Sequence, residues 1–221
     1  MAMTRQLQAP VAIAQGAGPT TCELYLIRHG TTTMNVENRY RGRRDVPLDA
    51  QGYQDAVDAA RQLSCAGLTS VYTGPLRRTI ATAQIIADEA RVPDLRILHG
   101  LNNVDYGMWE GMTTEEAAGH DADAFALYRA APQLAVCPAG ERLTDAQDRI
   151  LSALLLIGKR HPGEIVAAVT HAVMIRLAVA KLTGIHDESW RIPVGRGSLM
   201  LLHITDGHLQ LQALPQGDDV D

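Results

Sequence analysis

The chain contains 221 residues, of which 46% are hydrophobic and 20% are charged, and its formal net charge at pH 7 is −5. A chain of this size and composition is expected to fold as one globular domain with a substantial core. The acidic balance argues against nucleic acid as a partner, and no segment has the roughly 18 to 20 consecutive apolar residues that a membrane helix requires.

The first residues and the cysteines indicate the compartment. Residues 1–21 are rich in Ala, Gln, Gly and Pro and lack the apolar segment of a secretion signal, so they predict a disordered tail. Cys22, Cys65 and Cys137 show no metal-binding spacing and are odd in number, which suits a reducing environment. We therefore expect a cytoplasmic protein without a metal ion or other cofactor.

The first apolar run covers residues 24–27 and predicts a buried strand. It leads directly into Arg28, His29 and Gly30. In open α/β sheets the carboxyl end of a strand is where ligands bind, and glycine lets a ligand approach the backbone closely. Taken alone, this segment is equally compatible with a loop that carries one arginine and one histidine.

The next elements alternate between helix and strand. Residues 69–73 predict a second strand, Gly74-Pro75 the start of a second helix, and residues 96–98 a short third strand. Between the first two strands, Asp49 predicts the N-cap of a helix. Five residues follow Asp49 at helical spacing and are predicted to face the sheet: Tyr53, Ala56, Val57, Ala60 and Leu63.

The segment 102–140 differs from its surroundings because it is rich in Ala, Asp and Glu and is interrupted by prolines. We interpret it as a helical insertion, with one helix over residues 122–130, that covers one edge of the site. After it, the pattern predicts a helix over 143–157, a strand over 164–169, a helix over 172–182, and a hairpin formed by 198–204 and 208–214.

This order predicts a three-layer α/β/α fold with a mostly parallel central sheet and one antiparallel strand. The domain spans residues 22–214, and residues 215–221 form a C-terminal tail. No internal repeat is present.

Basic residues are predicted to meet at one edge of this sheet. The strand 164–169 leads into His171, and Arg78 lies in the first turn of the second helix. Together with Arg28 and His29 they form an anion site, because guanidinium groups and helix N-termini match phosphate oxygens. The alternative is that these side chains form salt bridges or helix caps. A further arginine cluster indicates either a small anionic ligand or a solvated loop: Arg39, Arg41, Arg43 and Arg44.

The pattern Arg28-His29-Gly30-x-Thr32-x-x-Asn35 resembles the signature of the histidine phosphatase superfamily, whose fold is phosphoglycerate mutase-like. The resemblance spans roughly residues 22–214 and is closest to the phosphatase branch. Further matching positions are Gly42, Asp45, Pro47-Leu48, Gly52, Pro75-Leu76, Arg78, Thr82-Ala83, Gly107, Trp109-Glu110-Gly111, Gly140-Glu141 and Val169-Thr170-His171.

The resemblance implies a two-step phosphoryl transfer. His29 would attack phosphorus, and water would then hydrolyse the phosphohistidine. Arg28, Arg78 and His171 would bind the non-bridging oxygens, and Asn35 would donate a further hydrogen bond. The resemblance also implies that five further residues bind the phosphate or the rest of the substrate: Thr32, Arg41, Gly42, Asn103 and Ala172.

One position departs from the family pattern. Members usually carry a glutamate, the general acid, four residues before Gly107, and this chain carries Asn103 there. An amide cannot act as a general acid or base at neutral pH. Asp105 is a candidate replacement, although it is equally compatible with a turn or surface role. Alternatively, the substrate has a good leaving group, as in phosphoramidates, acyl phosphates and anhydrides, or the chain is a weak or inactive member.

We therefore predict a phosphatase that acts on a small phosphorylated metabolite. Arg41 either contacts a second anionic group of that substrate or points to solvent. The alternatives are a phosphoglycerate mutase-type transferase, a phosphatase for phosphohistidine and related phosphoramidates, and a non-catalytic binder of phosphorylated ligands. Phosphohistidine phosphatases of the superfamily resemble this chain in lacking the glutamate. The oligomeric state stays open, with a homodimer as one option.

Overall fold

The computed structural model describes residues 20–185 and 192–215. Predicted tail residues 1–19 and 216–221 lie outside this part of the chain. The strands are β1 (Cys22–Arg28), β2 (Ser70–Thr73), β3 (Leu95–Ile97), β4 (Ile165–Thr170), β5 (Leu199–Thr205) and β6 (His208–Ala213). The α-helices are α1 (Thr33–Val36), α2 (Ala50–Leu63), α3 (Arg77–Ala90), α4 (Thr114–His120), α5 (Ala122–Ala130), α6 (Leu143–Arg160) and α7 (Ala172–Thr183).

The strands form one six-stranded sheet in the order β3-β2-β4-β1-β5-β6. Strand β1 is parallel to β4 and antiparallel to β5, and β5 is antiparallel to β6 as well. Thus β5 is the strand that runs against the others. Buried side chains of α2 and α3 pack on one face of the sheet, and those of α6 and α7 pack on the other. The predicted three-layer α/β fold is confirmed.

Helix α2 begins where it was predicted, because the Asp49 carboxylate accepts the Gly52 N–H at 2.8 Å. The prediction that Tyr53 faces the sheet is wrong, since 52% of this residue is exposed. Gly52 takes the inward position instead, because a β-carbon there would lie 2.0 Å from the Thr31 carbonyl oxygen. This close approach holds the loop after β1 against α2.

The insertion contributes an aromatic cluster to the core. Trp109 is completely buried, and the hydroxyl groups of Tyr106 and Tyr128 form a hydrogen bond of 2.9 Å. Tyr40 and Phe125 complete the cluster through ring contacts. The predicted helix over residues 122–130 is α5. No helix in the described ranges is both long and apolar enough to cross a membrane.

Candidate active site

Strands β1 and β4 bring the two motif histidines together. They are parallel neighbours with Arg28 opposite Thr170, so the residues that follow emerge at the same edge of the sheet. The ring centroids of His29 and His171 lie 5.1 Å apart. Both residues are buried, with exposures of 1% and 2%. The geometry places two imidazoles side by side in a site that excludes bulk water.

His29 is held in one tautomer. Its Nδ1 lies 2.6 Å from the carbonyl oxygen of Gly30, and because a carbonyl only accepts, Nδ1 carries the proton. Nε2 therefore keeps its lone pair. Burial, followed by the positive charges of Arg78, Arg41 and Arg28, lowers the pKa of His29 well below 6.5. The imidazole is consequently neutral at pH 7, which is the nucleophilic form.

Arg78 is completely buried in the first turn of α3. Its Nη1 donates to the carbonyl of Arg44 at 2.7 Å, and its Nη2 donates to the carbonyl of Gly42 at 2.8 Å. Nε is buried without a hydrogen-bond partner among the described residues. Burial, and secondly the charge of Arg41, lowers the pKa of Arg78 to about 9. The guanidinium is still protonated at pH 7 and retains N–H groups for an anion.

Arg28 and His171 complete the basic lining. Arg28 is completely buried, and its Nη1 donates to the carbonyl of Val194. Both ring nitrogens of His171 are buried without a hydrogen-bond partner in the described part of the chain. Burial, followed by the charge of Arg78 and the proximity of His29, lowers the pKa of His171 well below 6.5. Because buried polar atoms are nearly always hydrogen-bonded, this imidazole is suited to binding a ligand oxygen.

The segment after β1 and the start of α7 each add an amide donor. The Asn35 Oδ1 accepts hydrogen bonds of 3.0 Å from both the backbone N–H and the hydroxyl of Thr32, the residue that precedes α1. Asn35 Nδ2 is buried without a partner among the described residues. Ala172 is the first residue of α7, so its N–H has no partner within the helix. Both groups are hydrogen-bond donors at a site suited to an anion.

The four arginines between positions 39 and 44 make different contacts. Arg39 pairs with Glu116 at 2.9 Å, and Arg43 pairs with Asp105 at 3.1 Å. The backbone of Arg44 accepts from Arg78, as described above. The half-buried Arg41 acts on the site itself, because its charge lowers the pKa of His29, His171 and Arg78.

Asn103 and Asp105 differ in their surroundings. Asn103 is 5% exposed, and its Nδ2 donates to the carbonyl of Gly42 at 3.0 Å. Asp105 uses both carboxylate oxygens: Oδ1 accepts the Gly107 N–H at 3.0 Å, and Oδ2 pairs with Arg43. These contacts support a turn role for Asp105, because both carboxylate oxygens already accept hydrogen bonds from neighbouring loop residues.

Sequence reasoning missed a supporting network behind these residues. Arg149 on α6 donates to the carbonyls of Asn102 at 2.8 Å and Asn103 at 3.1 Å, and to Glu141 at 2.7 Å. Glu141 also accepts the Asp105 N–H at 2.9 Å. Glu141 lay within a matching motif, whereas Arg149 carried no local signal because it acts on residues distant in sequence. Among the described residues, no group of side chains is arranged to hold a metal ion.

Comparison with known proteins agrees with this geometry. The model of the histidine phosphatase superfamily, branch 1, matches residues 24–216. The chain belongs to this superfamily. The predicted family is thereby confirmed.

Three relatives show the range of the superfamily. Phosphoserine phosphatase 1 of Hydrogenobacter thermophilus is 30% identical over 185 residues, which cover 83% of this chain and 87% of that protein. Phosphoglycerate mutase-like protein 4 of Arabidopsis thaliana is 32% identical over 156 residues, covering 70% and 68%. The structure of Bacillus stearothermophilus YhfR matches with a TM-score of 0.81 and 33% identity, covering 87% of this chain and 96% of that one. The relatives support a phosphatase.

Proposed function

We propose that the protein hydrolyses a small phosphorylated metabolite through a phosphohistidine on His29. The observation that carries this proposal is the 2.6 Å contact between His29 Nδ1 and the Gly30 carbonyl. It leaves Nε2 as a free lone pair on a neutral ring, in a site lined by buried cations. Cations that are already in place stabilise the charge of the transferring phosphoryl group without reorganisation of the site. Positioning and charge stabilisation of this kind supply most of the catalysis in phosphoryl transfer.

The reaction proceeds in two steps. His29 Nε2 forms a bond to phosphorus while the bond from phosphorus to the leaving oxygen breaks, and the departing oxygen takes a proton from solvent or from Asp105, the two sources that the leaving-group experiment below distinguishes. Water then attacks phosphorus and gives a proton to solvent, while the bond between phosphorus and His29 Nε2 breaks, which releases inorganic phosphate and restores the lone pair of His29. Arg28, Arg78 and His171 bind the non-bridging oxygens in both steps, assisted by Asn35 and by the N–H of Ala172.

The substrate carries a second anionic group in this proposal. Arg41 brings additional positive charge to a site that already holds two buried arginines, and this supports contact with a carboxylate or second phosphate. Phosphoserine is the first compound to test, because a relative bears the name phosphoserine phosphatase and phosphoserine combines a phosphate with a carboxylate.

A second candidate is a phosphatase for substrates that need no general acid. It is favoured by two side chains: the Asn103 amide cannot act as a general acid at neutral pH, and both carboxylate oxygens of Asp105 accept hydrogen bonds, from Arg43 and from the Gly107 N–H. The leaving groups of phosphoramidates, acyl phosphates and anhydrides depart without a general acid from the enzyme. The same feature disfavours a mutase, since phosphoryl transfer between hydroxyl groups requires protonation of the departing oxygen. Phosphoserine also releases a hydroxyl, so its turnover would require an acid such as Asp105.

The nucleophile is tested with p-nitrophenyl phosphate, whose leaving group needs no acid. Wild type should hydrolyse it, His29→Ala should not, and denatured wild-type enzyme trapped during turnover should carry one phosphoryl group on His29 in a linkage that is labile to acid. Equal activity in His29→Ala would overturn the proposal. Phosphate binding without turnover by wild type would instead favour the non-catalytic binder.

The leaving-group question is decided by comparing phosphoserine with phosphoramidate and acetyl phosphate. Turnover of phosphoserine that is lost in Asp105→Asn, with p-nitrophenyl phosphate spared, would assign the acid to Asp105. Turnover restricted to phosphoramidate and acetyl phosphate would establish the second candidate.

We further propose a protein of the cytoplasm, because Cys22, Cys65 and Cys137 form no disulfide. A homodimer and the absence of nucleic-acid partners stay predictions. Size measurement in solution by light scattering tests the former, and a nucleic-acid binding assay at low salt tests the latter.

A further inference from the structure

The Gly42 carbonyl receives two buried hydrogen bonds from distant parts of the chain. Arg78 Nη2 donates to it at 2.8 Å, and Asn103 Nδ2 donates at 3.0 Å. Gly42 has a φ of +50°, and a β-carbon there would lie 2.0 Å from Oε1 of Glu110. Glycine therefore lets the chain present this carbonyl to both donors.

The amide of Asn103 is a fixed donor. Its Oδ1 accepts the Val104 N–H at 2.9 Å, which determines that Nδ2 is the atom facing Gly42. Its backbone carbonyl is held by Arg149 at 3.1 Å and by Arg43 at 3.4 Å. An ionised carboxylate at position 103 has no proton to donate to a carbonyl, so a charged aspartate or glutamate there cannot make this contact.

The geometry points to Asn103 as a positioning residue that holds the guanidinium of Arg78, through the Gly42 carbonyl, in the orientation that binds phosphoryl oxygens. The inference rests on the proposed function, in which Arg78 binds the phosphoryl group. Arg78 Nη1 donates one hydrogen bond to the carbonyl of Arg44, and Nη2 donates one to the carbonyl of Gly42. The remaining N–H groups are left for the anion, so their direction depends on where the Gly42 carbonyl is held.

The experiment measures the dissociation constant of inorganic phosphate by calorimetry, which requires no turnover. Asn103→Ala should weaken binding roughly three- to tenfold, the effect of losing about one hydrogen bond. Arg78→Lys should weaken binding more strongly, because lysine cannot hold two carbonyls and an anion together. In the double variant Asn103→Ala, Arg78→Lys, the two losses of binding free energy should not add, because Asn103 acts through Arg78.

Asn102 supplies the matched control, since its side chain accepts the Asn103 N–H, whereas the side-chain donors to the Gly42 carbonyl are Arg78 and Asn103. Asn102→Ala should change phosphate binding less than twofold, because the Asn103 side chain keeps its hydrogen bond to Gly42 in this variant. Asn103→Asp keeps the acceptor for Val104 and removes the donor, and Asn102→Asp adds the same charge one residue away. If Asn103→Ala does not fold, phosphate binding is measured for Asn103→Asp, alone and combined with Arg78→Lys, and Asn102→Asp is the control for the added charge.

The outcomes separate the inference from the proposed function. Unchanged phosphate binding in Asn103→Ala, or additive losses in the double variant, overturns the positioning role. Unchanged binding in Arg78→Lys overturns the phosphate site of the proposed function itself, whatever Asn103 does.

Discussion

The two buried histidines make stability depend on pH in a predictable direction. Burial lowers the pKa of His29 and of His171 well below 6.5, so both stay neutral in the folded chain while the unfolded chain protonates them as pH falls through about 6.5. The unfolded state then binds more protons than the folded state. The free energy of unfolding must therefore be highest above pH 6.5 and fall below it.

The magnitude follows from the number of groups. One pH unit below the unfolded pKa, each histidine that stays neutral only in the folded state costs about 1.4 kcal/mol of stability. His29 and His171 together should therefore lower the free energy of unfolding by about 2.8 kcal/mol at that pH. This change is a large fraction of the free energy of unfolding of a typical domain, which is roughly 5 to 15 kcal/mol.

The assay is urea denaturation between about pH 7.5 and about pH 5.5. His29→Gln and His171→Gln should each lose half of the pH-dependent change, and the double variant should lose nearly all of it. His208→Gln is the matched control, because His208 lies exposed on β6, and it should keep the wild-type slope. A double variant with the wild-type slope would refute the neutral, buried state of the two imidazoles.

Three further predictions concern single residues. Arg78→Ala should lower kcat/KM for p-nitrophenyl phosphate on the order of 10²- to 10³-fold, the cost of one transition-state donor, and a loss below tenfold would contradict its role. Gly42→Ala should lower the free energy of unfolding by at least about 1 kcal/mol in urea denaturation, because φ is +50° and the β-carbon meets Glu110; wild-type stability would show that the loop relaxes. Arg41→Ala should raise KM for phosphoserine more than for p-nitrophenyl phosphate, and equal effects on both would exclude a second-anion contact.

The basic residues of the candidate active site could be placed from the sequence. Arg28, His29 and His171 directly follow apolar runs that form adjacent parallel strands, and strand ends of this kind meet wherever the sheet is parallel. Arg78 follows a Gly-Pro break that marks the start of a helix. Local patterns of hydrophobicity are sufficient for these positions, because sheet topology then brings the side chains to one edge.

The contacts between loops depended on the tertiary structure. The Tyr53 prediction failed because helical periodicity has no information about which residue meets another segment, and the backbone of Gly52 approaches Thr31 too closely for a side chain. In the same way, the hydrogen bond between Asn103 and Gly42 joins residues 61 positions apart. No local pattern encodes such a pair.

The sequence by itself determined the fold class, the family and the residues of the candidate active site, because these follow from strand ends and motif spacing. The tertiary structure alone decided the tautomer of His29, the occupation of Asp105 by Arg43 and the donation from Asn103 to Gly42. Those properties depend on which donors and acceptors meet across the packed site. A hydrogen-bond partner is determined by position in space, whereas a sequence motif specifies only the residue types available to form one.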